Sequence, residues 1–296
     1  MVRIGAHVSI SPKPIVAVDS AIALKANTIQ IFTHNARSWN FKELDEKQLK
    51  AFRDGVEEAS ISPVIAHSGY LLNPAATGEN FDKSRDSLAK ELEYADAFGC
   101  NYLVVHMGKH GLSVKAKAKA EDVAKSIEEG IERMVNMFTA LRTEIIAANT
   151  MIIMENTSGC GSSMGGDLSE ITTFISRLPD DIRPKVGICL DTCHLHAAGY
   201  GLDITRVAKS VARIRADVDL SLVKAIHVND SKGAVGSLLD RHEHLGLGDI
   251  GAEGLGVFLS TPELAGLPLI LETPVDEKNG HETNMRALRR IVARKG

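Results

Sequence analysis

Val186-Gly-Ile-Cys-Leu-Asp191-Thr-Cys-His194 opens as a short apolar run, closes on a carboxylate, and carries an imidazole about one turn further on. The run is continuous rather than alternating, which suits a strand covered on both faces in a parallel sheet. The same pattern recurs on either side. Met151-Ile-Ile-Met-Glu155 precedes it and Val223-Lys-Ala-Ile-His227 follows. Further out lie Val64 to His67, Tyr102 to His106 and Leu269 to Glu272, each ending on His or Glu. Val2 to His7 and Thr28 to Phe32 make eight predicted strands. Amphipathic segments separate them. Asp45 to Ala59 places Leu49, Phe52 and Val56 at helical spacing, and Phe81 to Phe98, Glu121 to Ala148 and Glu282 to Ala293 also read as helices. Eight β/α units in one pass predict an α/β fold, the (β/α)8 TIM barrel. No linker, low-complexity stretch or shift in composition divides the chain, so residues 1–296 are expected to form a single domain.

The totals agree. The 296 residues fit one such barrel, since about 250 is typical. Aromatic residues are only 4%, so the core must rest on Ile, Leu, Val and Ala. The formal charge of −4 gives no support to nucleic-acid binding by bulk charge, although three bound divalent ions would turn it positive. Cys100, Cys160, Cys189 and Cys193 are too few and too irregularly spaced for a secreted disulfide framework, and are expected as reduced, mostly buried thiols. The strand-like start carries no signal peptide, and no apolar run approaches the roughly 18 residues of a membrane span. The expectation is a cytoplasmic monomer.

In such barrels the active site lies at the C-terminal ends of the strands. His67, His106, Glu155, Asp191, His227 and Glu272 end predicted strands 3 to 8, and His194, Asp240 and His242 lie in the loops just after strands 6 and 7. A lone His or Asp-X-His would read as a structural group or a polar loop. Repetition at strand ends argues otherwise, because buried charge is costly unless paired or bound to metal. One ion takes about four ligands when structural, or three plus an open position when catalytic. Nine candidates therefore suit two or three ions in one pocket. Asp191 and His194, three apart, suit neighbouring ions, while Asp240 and His242 suit a shared one. Imidazole and carboxylate without thiolate point to zinc or manganese.

These segments are familiar. His67-Ser-Gly-Tyr-Leu-Leu-Asn73, His106-Met-Gly-Lys-His110, Glu155-Asn-Thr-Ser-Gly159 and Leu190-Asp-Thr-Cys-His-Leu-His-Ala-Ala-Gly-Tyr200 resemble motifs of the endonuclease IV family of abasic-site endonucleases. So do His227-Val-Asn-Asp-Ser-Lys232, Asp240-Arg-His-Glu-His-Leu-Gly246, Leu271-Glu-Thr273, Gly5-Ala-His-Val8 and Phe32-Thr-His-Asn-Ala-Arg37. The resemblance runs in order along nearly the whole chain. The Asp-Thr-Cys-His and Asp-Arg-His segments together are specific to the family, whereas strand-end carboxylates alone are shared with sugar isomerases of the same fold.

The resemblance implies three zinc ions, with manganese an alternative in one or more positions. His67 and His106 would hold one, with Glu155 bridging to a second completed by Asp191, His227 and Glu272; His194, Asp240 and His242 would hold the third. It implies a DNA-repair hydrolase acting on double-stranded DNA, cutting 5′ to an abasic site and leaving a 3′-hydroxyl and a 5′-deoxyribose phosphate. Trimming of blocked 3′ ends would follow from the same site. Glu155 and Glu272 are the expected catalytic carboxylates. Zinc lowers the pKa of its water to about 7, which supplies hydroxide for in-line attack on phosphorus. Asn35, Arg37, Tyr70 and Leu71 would contact DNA, with Trp39 close by; an aromatic or apolar wedge replaces lost stacking, and a missing base makes extrusion cheap. Two other classes fit parts of the pattern: a sugar isomerase or epimerase, which has no need of His194, Asp240 and His242, and a non-catalytic DNA-binding module, which leaves the ligand set unexplained.

Four positions depart from the family pattern. Gly69 stands where Pro or Ser is frequent, Met107 where Pro is, Gly201 where Asp is and Leu247 where Glu is. No metal ligand is among them, so they bear on loop shape, DNA affinity and lesion range. Outside the metal set, His7 and His34 are expected near the site or substrate, His110, His196 and His244 as supports of the ligands, and His281 at the start of the last helix.

Overall fold

The computed structural model describes residues 2–112, 119–276 and 279–293. Met1, at the head of the first strand-like run, lies outside them. The strands are β1 (Ile4–Ala6), β2 (Ile29–Phe32), β3 (Val64–His67), β4 (Tyr102–His106), β5 (Met151–Glu155), β6 (Val186–Asp191), β7 (Val223–His227), β8 (Asp230–Ser231), β9 (His242–Glu243) and β10 (Leu269–Leu271). All but β8 and β9 form one parallel sheet in the order β1-β10-β7-β6-β5-β4-β3-β2. The two edges meet. His7 bridges Gln30 in parallel fashion, and the Val8 amide donates to the Gln30 carbonyl at 2.8 Å. The sheet thus closes into the predicted barrel, while β8 and β9 form a short antiparallel pair in the connection that follows β7.

Five of the eight strands have the predicted bounds. The first is shorter, and Glu272 lies one residue past the end of β10. The helices are α1 (Ile15–Leu24), α2 (Glu46–Glu58), α3 (Glu79–Phe98), α4 (Ala120–Ala140), α5 (Arg142–Ala147), α6 (Leu168–Arg177), α7 (Thr192–Ala197), α8 (Val207–Asp217), α9 (Gly251–Leu259) and α10 (His281–Ala293). Asp45 caps α2 by accepting from the Lys47 and Gln48 amides, which satisfies donors that have no partner inside the helix. The segment predicted as one helix from Glu121 to Ala148 breaks at Leu141, whose ψ of 19° leaves the helical range. The break brings Ile145 and Ala148 into the core.

Among the described residues two apolar regions result. The larger lies between the strands and the surrounding helices. The smaller is the inside of the barrel, made by Ile65, Val104, Ile153, Cys189, Ala225 and Ile270, all fully buried, with Tyr102 and Met151 packed against them. One residue comes from each of β3 to β7 and from β10. This plug is the floor of the site above it.

Candidate metal centre and active site

Side chains alternate across a strand, so residues two apart share a face. Each residue of the interior plug is followed two positions later by a candidate ligand. Ile65 leads to His67, Val104 to His106, Ile153 to Glu155, Cys189 to Asp191, Ala225 to His227 and Ile270 to Glu272. The strands therefore place a ring of six ligands directly on an apolar floor. The α7 helix adds His194, and the loop returning through β9 adds Asp240 and His242.

Among the described residues, three groups of ligand atoms lie close enough to hold an ion. They are His67, His106 and Glu155; Glu155, Asp191, His227 and Glu272; and Asp191, His194 and His242, the atoms of each lying within 4.8 Å of one another. Glu155 links the first two. Its Oε2 lies 3.1 Å from both His67 Nε2 and His106 Nε2, and its Oε1 lies 3.0 Å from His227 Nδ1. Glu272 Oε2 is 3.2 Å from His227 Nδ1. Asp240 Oδ1 approaches His194 Nε2 at 3.1 Å and His242 Nε2 at 3.7 Å, so it stands at the mouth of the third group. The structure brings all nine predicted ligands together.

Electrostatics bind the cluster. Burial pushes the Glu155 carboxyl up, but the facing His227 and His106 outweigh it and hold it well below the usual carboxylate range. Burial likewise opposes charge on Glu272, and His227 brings that carboxyl well down. The partners move the other way. Burial lowers His194, yet Asp191, Asp240 and Glu155 raise it well above the ordinary value; His227, also opposed by burial, is raised by Cys189, Glu272 and Glu155. Ionised carboxylates packed against imidazoles are a set that divalent ions can occupy by displacing protons. The donors also fit: there is no thiolate among them, and His242 Nε2 is buried with no hydrogen-bond partner.

Supporting groups that the sequence did not single out surround the ring. Asn229 Nδ2 donates to Asp191 Oδ2 at 2.6 Å while its Oδ1 accepts from the Glu272 amide. Asn156 Oδ1 accepts from the Asp191 amide at 2.7 Å. Gln30 donates to Glu272 and faces His227. Asn156 and Asn229 directly follow or nearly follow ligands, which was a usable signal; Gln30, inside an apolar strand, offered only its polarity. His7 reaches the site, 3.7 Å from Glu272 Oε1. His34 instead lies 3.1 Å from Glu91. The expected support from His110, His196 and His244 is not seen: their ring nitrogens face Ser126, Asp249 and Asp276 rather than a ligand. His281 opens α10 as predicted and also lines the site.

A cavity of about 350 Å³ opens over the ligands, with Tyr70, Phe32 and Thr273 among its walls. Tyr70 is 66% exposed and Leu71 40%. Tyr70 packs edge-on to Phe32, ring centroids 5.4 Å apart. Asn35 and Arg37 are exposed on the loop after β2, and Asn35 Oδ1 accepts from the Arg37 amide. The Tyr70 amide donates to the Ala36 carbonyl at 2.8 Å, so the two loops are stitched together. Gly69 serves this contact: a β-carbon there would stand 3.1 Å from Ala36 O. A second cavity of about 530 Å³, between Trp39, Tyr70, Leu71 and Lys109, adjoins the first. Of the remaining departures, Met107 is buried, and a β-carbon on Gly201 would meet Arg206 and Val235. Leu247 is exposed. Three cysteines are buried and all four are free; Cys160 is exposed.

A family model described as the xylose isomerase-like TIM barrel matches residues 18–291. A protein of Methanoculleus marisnigri named probable endonuclease 4 is 38% identical over 99% of both chains, and one of Methanosphaerula palustris with the same name is 35% identical over 99% of both. Among solved structures, endonuclease IV from Thermus thermophilus superposes with a TM-score of 0.82 at 32% identity, covering 99% of each chain. A 3-keto-D-glucoside 4-epimerase from E. coli, at 13% identity and a TM-score of 0.67 over 99% of this chain, shares the fold alone. With its strand-end ligands in place, this chain belongs to the endonuclease IV family.

Proposed function

We propose that the chain is a zinc-dependent repair endonuclease that hydrolyses the phosphodiester 5′ to abasic sites in duplex DNA, leaving a 3′-hydroxyl and a 5′-deoxyribose phosphate, and that the same site clears blocked 3′ ends. As a member of this family the chain is a DNA-cleaving hydrolase. The observation that carries the finer reading is the third ligand group, His194 and His242 with Asp240 beside them, which an isomerase with one or two ions does not need. His67, His106 and Glu155 would hold the first ion; Glu155, Asp191, His227 and Glu272 the second; His194, Asp240 and His242 the third. Divalent ions there supply a nucleophile at neutral pH and neutralise phosphate charge.

The protein residues do the rest. Glu155, with no solvent exposure, uses both oxygens and so fixes the spacing of two groups. Glu272 is held at Oε1 by Gln30, which leaves Oε2 beside His227, and Asp191 is fixed at both oxygens, Oδ2 by Asn229 and Oδ1 by the His194 amide. Tyr70 and Leu71 offer a wedge where a base is missing, with Asn35 and Arg37 beside them to hold the backbone. A groove at a barrel mouth needs no second subunit, so the proposal is a monomer of one barrel domain acting in the cytoplasm; no helix among the described residues is long and apolar enough to cross a membrane. The test is a nicking assay on a duplex with one abasic site beside an intact control, with bound metal counted on the same preparation. One 5′-side nick, lost on chelation and accompanied by three zinc ions per chain, is expected. A fully metallated chain that leaves the lesion uncut would overturn the reading.

A further inference from the structure

Gln30 is a polar residue in an apolar layer. It pairs in register with Ile65, and it is fully buried. A buried amide is costly unless its hydrogen bonds are made, and here they are made to the metal centre. Gln30 Nε2 lies 2.6 Å from Glu272 Oε1 and 2.9 Å from His7 Nδ1. Gln30 Oε1 lies 2.7 Å from His227 Nε2.

The chemistry of the donors orients every atom in this chain. An ionised carboxylate only accepts, so the amide nitrogen must face Glu272 and the amide oxygen must face His227. The oxygen can only accept, so His227 carries a proton on Nε2. Its Nδ1 is then the nitrogen left to hold an ion, and Nδ1 is the atom that faces Glu155 Oε1 at 3.0 Å and Glu272 Oε2 at 3.2 Å. Three other imidazoles have their remaining nitrogen against backbone. His67 Nδ1 lies 2.9 Å from Ser68 O, His194 Nδ1 3.0 Å from Asn156 O and His242 Nδ1 3.1 Å from Glu272 O. His227 is held by a side chain instead.

We infer that Gln30 is a positioning residue for the metal centre: it fixes His227 in the tautomer whose bare Nδ1 faces the second ligand group, and by holding Glu272 Oε1 it turns Oε2 to the same point. The inference rests on the proposed metal function. Partners of this kind typically govern metal affinity by about 10–100-fold.

The test compares the zinc-loaded wild type with Gln30→Met, which keeps the volume and loses both hydrogen-bonding ends, and with Gln30→Glu, which keeps an acceptor for His227 but cannot donate to Glu272. Zinc is counted after graded competition with a chelator, and the His227 ring nitrogens are followed by 15N NMR. In Gln30→Met one ion of the set should be released at about 10–100-fold lower chelator concentration, with the others retained, the Nε2–H signature of His227 lost, and nicking restored by excess zinc. Gln30→Glu should keep the Nε2–H signature and still hold that ion less tightly. If the wild type holds its ions and Gln30→Met holds all of them equally well with His227 unchanged, the inference fails while the functional reading stands. If the wild type itself binds no zinc and makes no nick, the functional reading fails first.

Discussion

At the scale of single residues, the site depends on side chains that do more than one thing. Glu155 is the clearest, since each of its oxygens belongs to a different ligand group. Glu155→Gln removes the negative charge and replaces one oxygen with an amide nitrogen that cannot bind an ion, so one of the two ligand groups loses its carboxylate. Loss of a supporting residue alone costs about 10–100-fold, so loss of the bridge should cut nicking by more than about a hundredfold, with fewer ions counted per chain. Full activity in this variant would remove Glu155 from the mechanism. Tyr70 tests a separate link. Its ring is largely exposed and touches Phe32 rather than a ligand. Stacking of this kind is worth about 1–3 kcal/mol, so Tyr70→Ala should raise KM for an abasic duplex by about tenfold or more while the metal count stays the same. An unchanged KM would leave Tyr70 as a cap on the barrel.

At the scale of elements, the loops that shape the mouth are tied down by carboxylates on the helices behind them, Glu91 fully buried and Glu170 half-buried. Glu91 of α3 accepts from the Gly69 amide at 2.7 Å, and Glu170 of α6 accepts from the Gly165 amide at 2.6 Å. Burial raises each of these carboxyls from 4.5 to about 7. A folded-state value above the unfolded one means that the folded chain binds the extra proton. This contribution is therefore fully present below about pH 4.5 and lost as pH rises through about 7. Gln at position 91 keeps an acceptor for Gly69 and never ionises. Glu91→Gln should accordingly melt above the wild type at pH 8 by about 3–6 °C and show little difference at pH 5, with a smaller effect for the less buried Glu170→Gln. Equal differences at both pH values, read by differential scanning, would refute it. The pattern that betrayed the strands could not reveal these ties. Apolar runs ending on His or Glu are legible because alternation carries each ligand onto the plug two residues below. A Glu on a helix, a Gln within β2 or the break at Leu141 has partners set by packing across the barrel, and nothing nearby in sequence names them. Strand-end ligands were therefore readable in advance, and Asn156 and Asn229 could have been found from their closeness to ligands, whereas Gln30, Glu91 and Glu170 became visible only once the barrel had closed.

At the scale of the whole molecule, the ligands join elements far apart in the chain. The second group alone draws on β5, β6, β7 and the end of β10, and the first adds β3 and β4. Such a set does not exist in an unfolded chain, so each ion stabilises the native barrel by mass action. Without ions, Glu155, Asp191 and Glu272 share one space, and the charge that offsets them comes from the buried imidazoles His194 and His227, with Gln30 and Asn229 donating hydrogen bonds. One site filled at a hundred times its Kd contributes about 2.7 kcal/mol, and a chain of this size shifts by roughly 2 °C per kcal/mol. Stripping the ions at pH 8 should lower the Tm by about 5 °C or more, and zinc should restore it, with most of the protection already present once the second group is filled. The decisive control is Asp240→Asn, which alters only the exposed edge of the third group and should lose the smallest share of that protection. Superimposable melting curves for loaded and stripped protein would show that the strand ends are held by the barrel alone, and that the ions serve chemistry without serving the fold.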